Sequence, residues 1–299
     1  MKTELVSIAT HGAPLYGALY TPAPLDGALY TPAPLDGALY TPSAGPIRGA
    51  VLYFHGNTMN FYVGAARFLP PVLTRIGLVV LAFNRRGHDI LGTRASRIAE
   101  GGAFQTTAEA IEDNRLAARW LAERGYPAPI VIGHSNGGML ATRHVVDHPQ
   151  TPALVLLSAG RGGARQDPSG GSEKLFAGNR LAELTAQAQA LVAQGRGRDL
   201  MFMPGWWYVI SAESFLDRLA TVPDTIALAS QISCPVLAIR GDREDRDRYP
   251  AEEFQAAAGG PCRVCIVESC DHFYNGREQH VAAIVAQWLA ETLGLPAAA

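Results

Sequence analysis

Ile130-Val-Ile-Gly-His-Ser-Asn-Gly-Gly-Met139 runs three branched apolar residues into Gly133-His134-Ser135-Asn136-Gly137, a G-x-S-x-G pattern. A helix-compatible segment follows, up to His148 and Pro149. A short buried strand, a glycine-crowded turn and a helix would push the Ser135 hydroxyl out of a strained corner. Gly133 and Gly137 matter there because a larger side chain would strike the neighbouring strand or helix.

The flanking sequence alternates strand and helix from Gly49 onward. Ala50 to Phe54 reads as a strand ending at His55-Gly56-Asn57. Phe61 to Leu73 reads as helical, with Pro70 and Pro71 breaking or kinking it. Leu78 to Phe83 is a buried strand leading into Asn84-Arg-Arg-Gly-His-Asp89. Thr106 and Glu109 form a capping box for a helix to Glu123, stopped by Gly125. Further strands are expected at 153–157, 235–239 and 264–267. Val281, Ile284, Val285, Trp288 and Leu289 then give one apolar face of a closing helix. The expected fold is α/β: a doubly wound, mostly parallel sheet covered on both faces, with an inserted helical lid. Residues 1–160 and 233–299 form the core and 161–232 the lid. The lid has a Gly-rich start, a helix over 181–192, an apolar run over 200–210 and helices starting near Ser211 and Asp224.

The N-terminus is unusual. Ala13 to Pro22 recurs almost unchanged as Ala23 to Pro32 and Ala33 to Pro42, with Tyr16 replaced by Asp26 and Asp36. A ten-residue period with two prolines per copy matches no solenoid. Each Gly-Ala-Leu-Tyr-Thr is strand-like and each Pro-Ala-Pro a breaker, so 13–42 reads as extended pieces or turns near a sheet edge, a duplication tolerated in an exposed connection.

Composition narrows the function. With 299 residues, 48% hydrophobic and 17% charged, the chain can bury a large core. A net charge of −2 without basic runs argues against nucleic acid or an anionic membrane. The longest apolar run falls far short of the roughly 20 residues that span a bilayer. The expectation is a cytoplasmic protein with a small-molecule substrate. Cys262 and Cys265 make a lone C-x-x-C whose members face opposite ways in a strand, so they read as structural; no metal or cofactor is expected.

A serine hydroxyl becomes a useful nucleophile when a base takes its proton and a carboxylate holds that base in one tautomer. His272 fits the base, directly after the last strand and before the closing helix. His55 and His134 flank the site and read as structural; His88 reads as ordering Arg85, Arg86 and Asp89. Gly241-Asp-Arg-Glu-Asp245 offers Asp242, Glu244 and Asp245 as the acid. Backbone N–H groups of Asn57 and Asn136 would receive the negative oxygen, each worth about 3 kcal/mol in the transition state. Phe61, Trp206 and Trp207 are candidate substrate contacts, since adjacent tryptophans cannot both face one core.

His55-Gly56, Asn84-Arg-Arg-Gly-His88, Gly133-His-Ser-Asn-Gly137, Gly241-Asp-Arg-Glu-Asp245 and Asp271-His272, in that order, resemble the α/β-hydrolase superfamily over about Gly49 to Leu293. The resemblance implies Ser135 as nucleophile, His272 as base and the Asn57 and Asn136 amides as oxyanion donors. Its usual acid position falls on Glu244, while the commoner Asp stands one step later, which ranks Asp245 first, Glu244 second and Asp242 third. The expected activity is hydrolysis of a carboxylic ester of a small, mainly apolar substrate through an acyl-enzyme. The alternatives are a peptidase or acyltransferase of the same fold, or a non-catalytic ligand-binding protein. A broken triad would mark the last, and a lid rich in acidic residues the peptidase.

Overall fold

The computed structural model describes residues 2–8, 15–21, 35–93, 97–163, 177–204 and 209–295. Strands β1 (Lys2–Ile8) and β2 (Leu15–Thr21) pair as an antiparallel ribbon. The repeat therefore enters the fold twice. Its first copy supplies β2, and its third supplies β3 (Gly37–Tyr40), an edge strand antiparallel to β5 (Leu78–Phe83). The second copy lies outside the described residues.

The main sheet adds β4 (Gly49–Phe54), β6 (Ile130–His134), β7 (Leu154–Leu157), β10 (Val236–Gly241) and β11 (Cys262–Val267), in the order β11-β10-β7-β6-β4-β5-β3. All pairs but the β3 edge are parallel. Because side chains alternate along a strand, each strand feeds two cores. Val51, Tyr53, Val80, Ile132, Leu157 and Ile239 face one side, where α1 (Ala65–Phe68), α2 (Pro70–Arg75) and α9 (Glu278–Leu293) pack. Leu52, Phe54, Leu81, Val131, Leu156 and Ala238 face the other, under α3 (Thr107–Ala122), α4 (Asn136–Asp147) and α8 (Ala251–Ala257). Cys265 packs on the first core and Cys262 on the second, as their spacing in a strand requires.

The Thr106–Glu109 capping box is present at the start of α3. The single helix expected over 61–73 is instead two short ones. Residues 61–64 form turns and a bend, and Pro70 opens α2, where its missing N–H costs nothing.

Between β7 and β10 the chain leaves the sheet for an insert: α5 (Leu181–Ala193), β8 (Leu200–Phe202), β9 (Val209–Ser211), α6 (Ala212–Thr221) and α7 (Thr225–Ala229). It has its own core of Leu184, Ala188, Met201, Met203, Ile210 and Phe215. The apolar run over 200–210 thus contributes to an antiparallel strand pair, β8 with β9, in which Met201 and Ile210 are buried. Ser211 and Asp224 cap the helices they precede. At α7 the chain rejoins the sheet, where Ala229 and Ile232 enter the second core.

Candidate active site

Ser135 occupies the turn between β6 and α4 with φ 56° and ψ −120°, a conformation that costs about 1–3 kcal/mol for a residue with a side chain. Close packing holds it there. A Cβ at Gly137 would lie 2.2 Å from the Phe54 carbonyl oxygen, and one at Gly133 would lie 2.3 Å from that of Gly137. The first turn of α4 is pressed onto the end of β4, and only glycine permits the approach. Ser135 N–H donates to Leu157 O at 2.9 Å, fixing the turn to β7. The Ser135 side chain makes no capping bond to its own helix, so the hydroxyl faces outward.

That hydroxyl lies 3.0 Å from His272 Nε2, and His272 Nδ1 lies 2.6 Å from Glu244 Oε1. An ionised carboxylate only accepts, so Nδ1 carries the proton and the Nε2 lone pair points at Ser135. The other oxygen of Glu244 accepts from Ser158 Oγ at 2.6 Å and from Gly241 N–H at 2.7 Å. Because Ser158 donates there, its oxygen accepts from the Tyr274 hydroxyl, 2.7 Å away. Glu244 and Tyr274 are both buried, and burial pushes the Tyr274 hydroxyl well above its ordinary pKa, so it stays a donor.

The ranking that put Asp245 first does not match this geometry. Asp245 is exposed, and its Oδ1 accepts from the N–H groups of Asp247 and Arg248 at 2.9 and 3.0 Å, closing the turn after β10. Asp242 accepts from Cys270 N–H at 3.0 Å, bracing the β11 loop that carries His272. The loop leaves β10 so that only position 244 turns inward, and the extra methylene of Glu reaches the imidazole.

The His272 ring is held on several sides. Buried Tyr249 packs against it with centroids 4.6 Å apart, and the His272 carbonyl accepts from His134 Nε2–H at 2.9 Å. Burial first, then the neighbouring His272, pushes the His134 pKa down to about 3, so it stays neutral. The sequence reading of His134 as structural fits this role.

The loop after β4 lies against Ser135: a Cβ on Gly56 would come within 3.3 Å of the Ser135 Cβ. The Gly56 carbonyl accepts from His55 Nδ1–H at 2.7 Å and from Met59 N–H at 3.2 Å. These bonds orient the peptide whose N–H belongs to Asn57. Burial, then Arg85, keeps His55 neutral by holding its pKa well below the ordinary value, and its Nε2 accepts from Arg85 N–H. Arg85 is fully buried and donates from Nη2 to His55 O at 2.7 Å; burial lowers its pKa to about 10. His88, read as ordering three neighbours, bonds two of them, Asp89 through its ring Nδ1 at 2.7 Å and Arg85 O through its N–H at 3.0 Å; Arg86 is claimed by Asp113. The Asn136 amide opens α4, where helix geometry leaves its N–H without an intrahelical acceptor.

Phe61 packs on the first core, with its N–H donating to Asn84 Oδ1 at 2.9 Å. Trp206 and Trp207 lie outside the described residues. Among the described residues no group of three or more His, Cys, Asp or Glu is placed to hold a metal ion, and no helix is long and apolar enough to cross a membrane. Ser158 and Tyr274 were not singled out by sequence. The available signal was position, since Ser158 directly follows β7 beside the β10 loop and Tyr274 follows His272 by two.

Residues 51–287 match the family described as alpha/beta hydrolases. A search of curated proteins found no match. Among solved structures, the chain is similar to the ferulic acid complex of Est1E from Butyrivibrio proteoclasticus, at 17% identity and TM-score 0.62, covering 87% of this chain and 96% of that one. It is similar to a structure reported for the metagenome-derived lipolytic enzymes LipS and LipT, at 20% identity and TM-score 0.60, covering 86% and 97%. It also resembles the monoacylglycerol lipase of Paleococcus ferrophilus, at 18% identity and TM-score 0.56, covering 87% and 100%.

Proposed function

Because this chain belongs to the alpha/beta hydrolase family, we propose that it is a serine hydrolase that cleaves a carboxylic ester through an acyl-enzyme on Ser135. The observation that carries this reading is the continuous line Ser135 Oγ, His272 Nε2, His272 Nδ1, Glu244 Oε1, with spacings of 3.0 and 2.6 Å. His272 takes the Ser135 proton as Oγ attacks the carbonyl carbon, then gives it to the leaving alcohol. Water attacks the acyl-enzyme by the same route. Glu244 fixes the tautomer and stabilises the imidazolium. The Asn57 and Asn136 amides receive the oxyanion.

The insert supports a lid role, and its apolar, aromatic run favours a small, mainly apolar substrate with Phe61, Trp206 and Trp207 as contacts. Ester and lipid hydrolases among the similar structures lean the same way, toward esters over peptides. A panel of p-nitrophenyl esters and aminoacyl-p-nitroanilides, with Ser135→Ala as blank, tests the reading. Short and medium acyl esters should turn over and the anilides should not. Hydrolysis undiminished in the Ser135→Ala protein would overturn it.

A further inference from the structure

Arg218, on α6 of the insert, reaches back to the loop after β4. Its Nη1 donates to Asn57 Oδ1 at 3.0 Å and its Nη2 to Gly102 O at 3.0 Å. The neighbouring carboxylate, Asp217, is turned away, with Oδ2 accepting from Thr107 N–H at the start of α3. Arg218 also borders a small cavity of about 20 Å³ that Asn136, Gln105, Leu140 and Pro223 line. One guanidinium therefore bonds one of the two residues carrying the proposed oxyanion amides and shares a cavity with the other.

Mere attachment of the insert does not require this contact. Ser211 N–H donates to Ala103 O at 2.8 Å, Arg198 Nη2 to Ala99 O at 2.8 Å, and Thr225 Oγ1 to Gly160 O at 2.7 Å. With Thr107 N–H on Asp217 at 2.6 Å, these bonds seat the insert without Arg218. What Arg218 adds is a charged donor on the side chain of Asn57. The peptide before Asn57 is already gripped through its Gly56 carbonyl by His55 and Met59. Arg218 holds the residue from its other side, so the amide cannot swing with the loop.

We propose that Arg218 is a positioning residue through which the seated insert sets the Asn57 amide for the oxyanion. This rests on the serine-hydrolase reading above. Such an amide works mainly where charge develops, so its loss falls on kcat more than on KM.

The test is a double-mutant cycle of Arg218→Met and Asn57→Ala, with Arg218→Lys alongside, measured as kcat and KM on a p-nitrophenyl ester that the protein hydrolyses and as inhibition by an aryl boronate. Asn57→Ala leaves its backbone amide in place and does not touch the insert. Each single variant should lower kcat about 10- to 100-fold and weaken the boronate similarly, with KM within about 3-fold. The double variant should be no worse than the worse single, and Arg218→Lys should recover part of the loss. Losses that multiply in the double variant, a change confined to KM, or unchanged kinetics in Asn57→Ala would overturn the proposal. Should Arg218→Met not fold, Asn57→Ala decides alone on the kcat and boronate readings. Dependence of hydrolysis on Ser135, measured with Ser135→Ala, separates failure of this inference from failure of the functional reading.

Discussion

Glu244 Oε1 stands 2.6 Å from His272 Nδ1, while Asp245, the next residue, is exposed and spends its carboxylate on the backbone of Asp247 and Arg248. The two acids are adjacent in the chain and make unrelated contacts. Replacing each by its amide separates them. Glu244→Gln should cut kcat by roughly 10³- to 10⁴-fold, since an amide cannot hold the tautomer or balance the imidazolium. Asp245→Asn and Asp242→Asn should stay within about 3-fold of the parent. Equal mild losses at all three positions would place the acid elsewhere.

Ser158 and Tyr274 form the outer links of the same line. Ser158→Ala removes a donor from a buried carboxylate and should destabilise the fold by about 1–3 kcal/mol while lowering kcat about tenfold. Tyr274→Phe leaves the Ser158 donor on Glu244 in place and should lower kcat less. Urea denaturation and steady-state kinetics on both variants check the order. A larger kinetic loss in Tyr274→Phe than in Ser158→Ala would contradict it.

Acid stability follows from buried neutral histidines. His134 and His144 are both pushed down to about 3, chiefly by burial, and His144 also by His148 stacked 4.1 Å away. The unfolded chain protonates them near pH 6.5 and the native protein does not, so the unfolded state binds more protons as pH falls. Stability should therefore drop from about pH 6.5 toward pH 3, by up to about 1.4 kcal/mol per pH unit for each histidine once the unfolded side chain is protonated. Unfolding free energies in urea between pH 7 and 4.5 measure the slope. His144→Asn should reduce it by one proton's share, and an unchanged slope would contradict the assignment.

The sheet was legible because its strands are short apolar runs bounded by glycine, and α3 because Thr106 and Glu109 announce its start. Ser135 stood out through its G-x-S-x-G turn and His272 through its place directly after the last strand, and the structure brings the two together because a doubly wound sheet delivers successive strand ends to one rim. Which carboxylate of the β10 loop reaches His272 was not legible to one residue. Asp242, Glu244 and Asp245 share a loop whose turn is set by backbone bonds that no side-chain pattern encodes. The β8–β9 pair was hidden for a similar reason: three-residue strands are too short to show alternation, and tertiary burial of Met201 and Ile210 decides them. Arg218 was invisible because its partner, Asn57, lies 161 residues away.

The repeat offers a deletion test. Residues 23–32 and 33–42 are identical, and the third copy supplies the edge strand β3. Removing residues 23–32 should leave that strand's sequence, its pairing with β5 and the turnover of esters unchanged, with a thermal midpoint within about 3 °C of the parent. Loss of folding on deletion would mean that the second copy carries a contact of its own.

Covalent labelling reads out whether Ser135 is the nucleophile. A fluorophosphonate probe, followed by peptide mapping, should place one adduct on Ser135, with labelling abolished in Ser135→Ala and strongly slowed in Glu244→Gln. Equal labelling of the Ser135→Ala protein, or an adduct mapped to another residue, would contradict it.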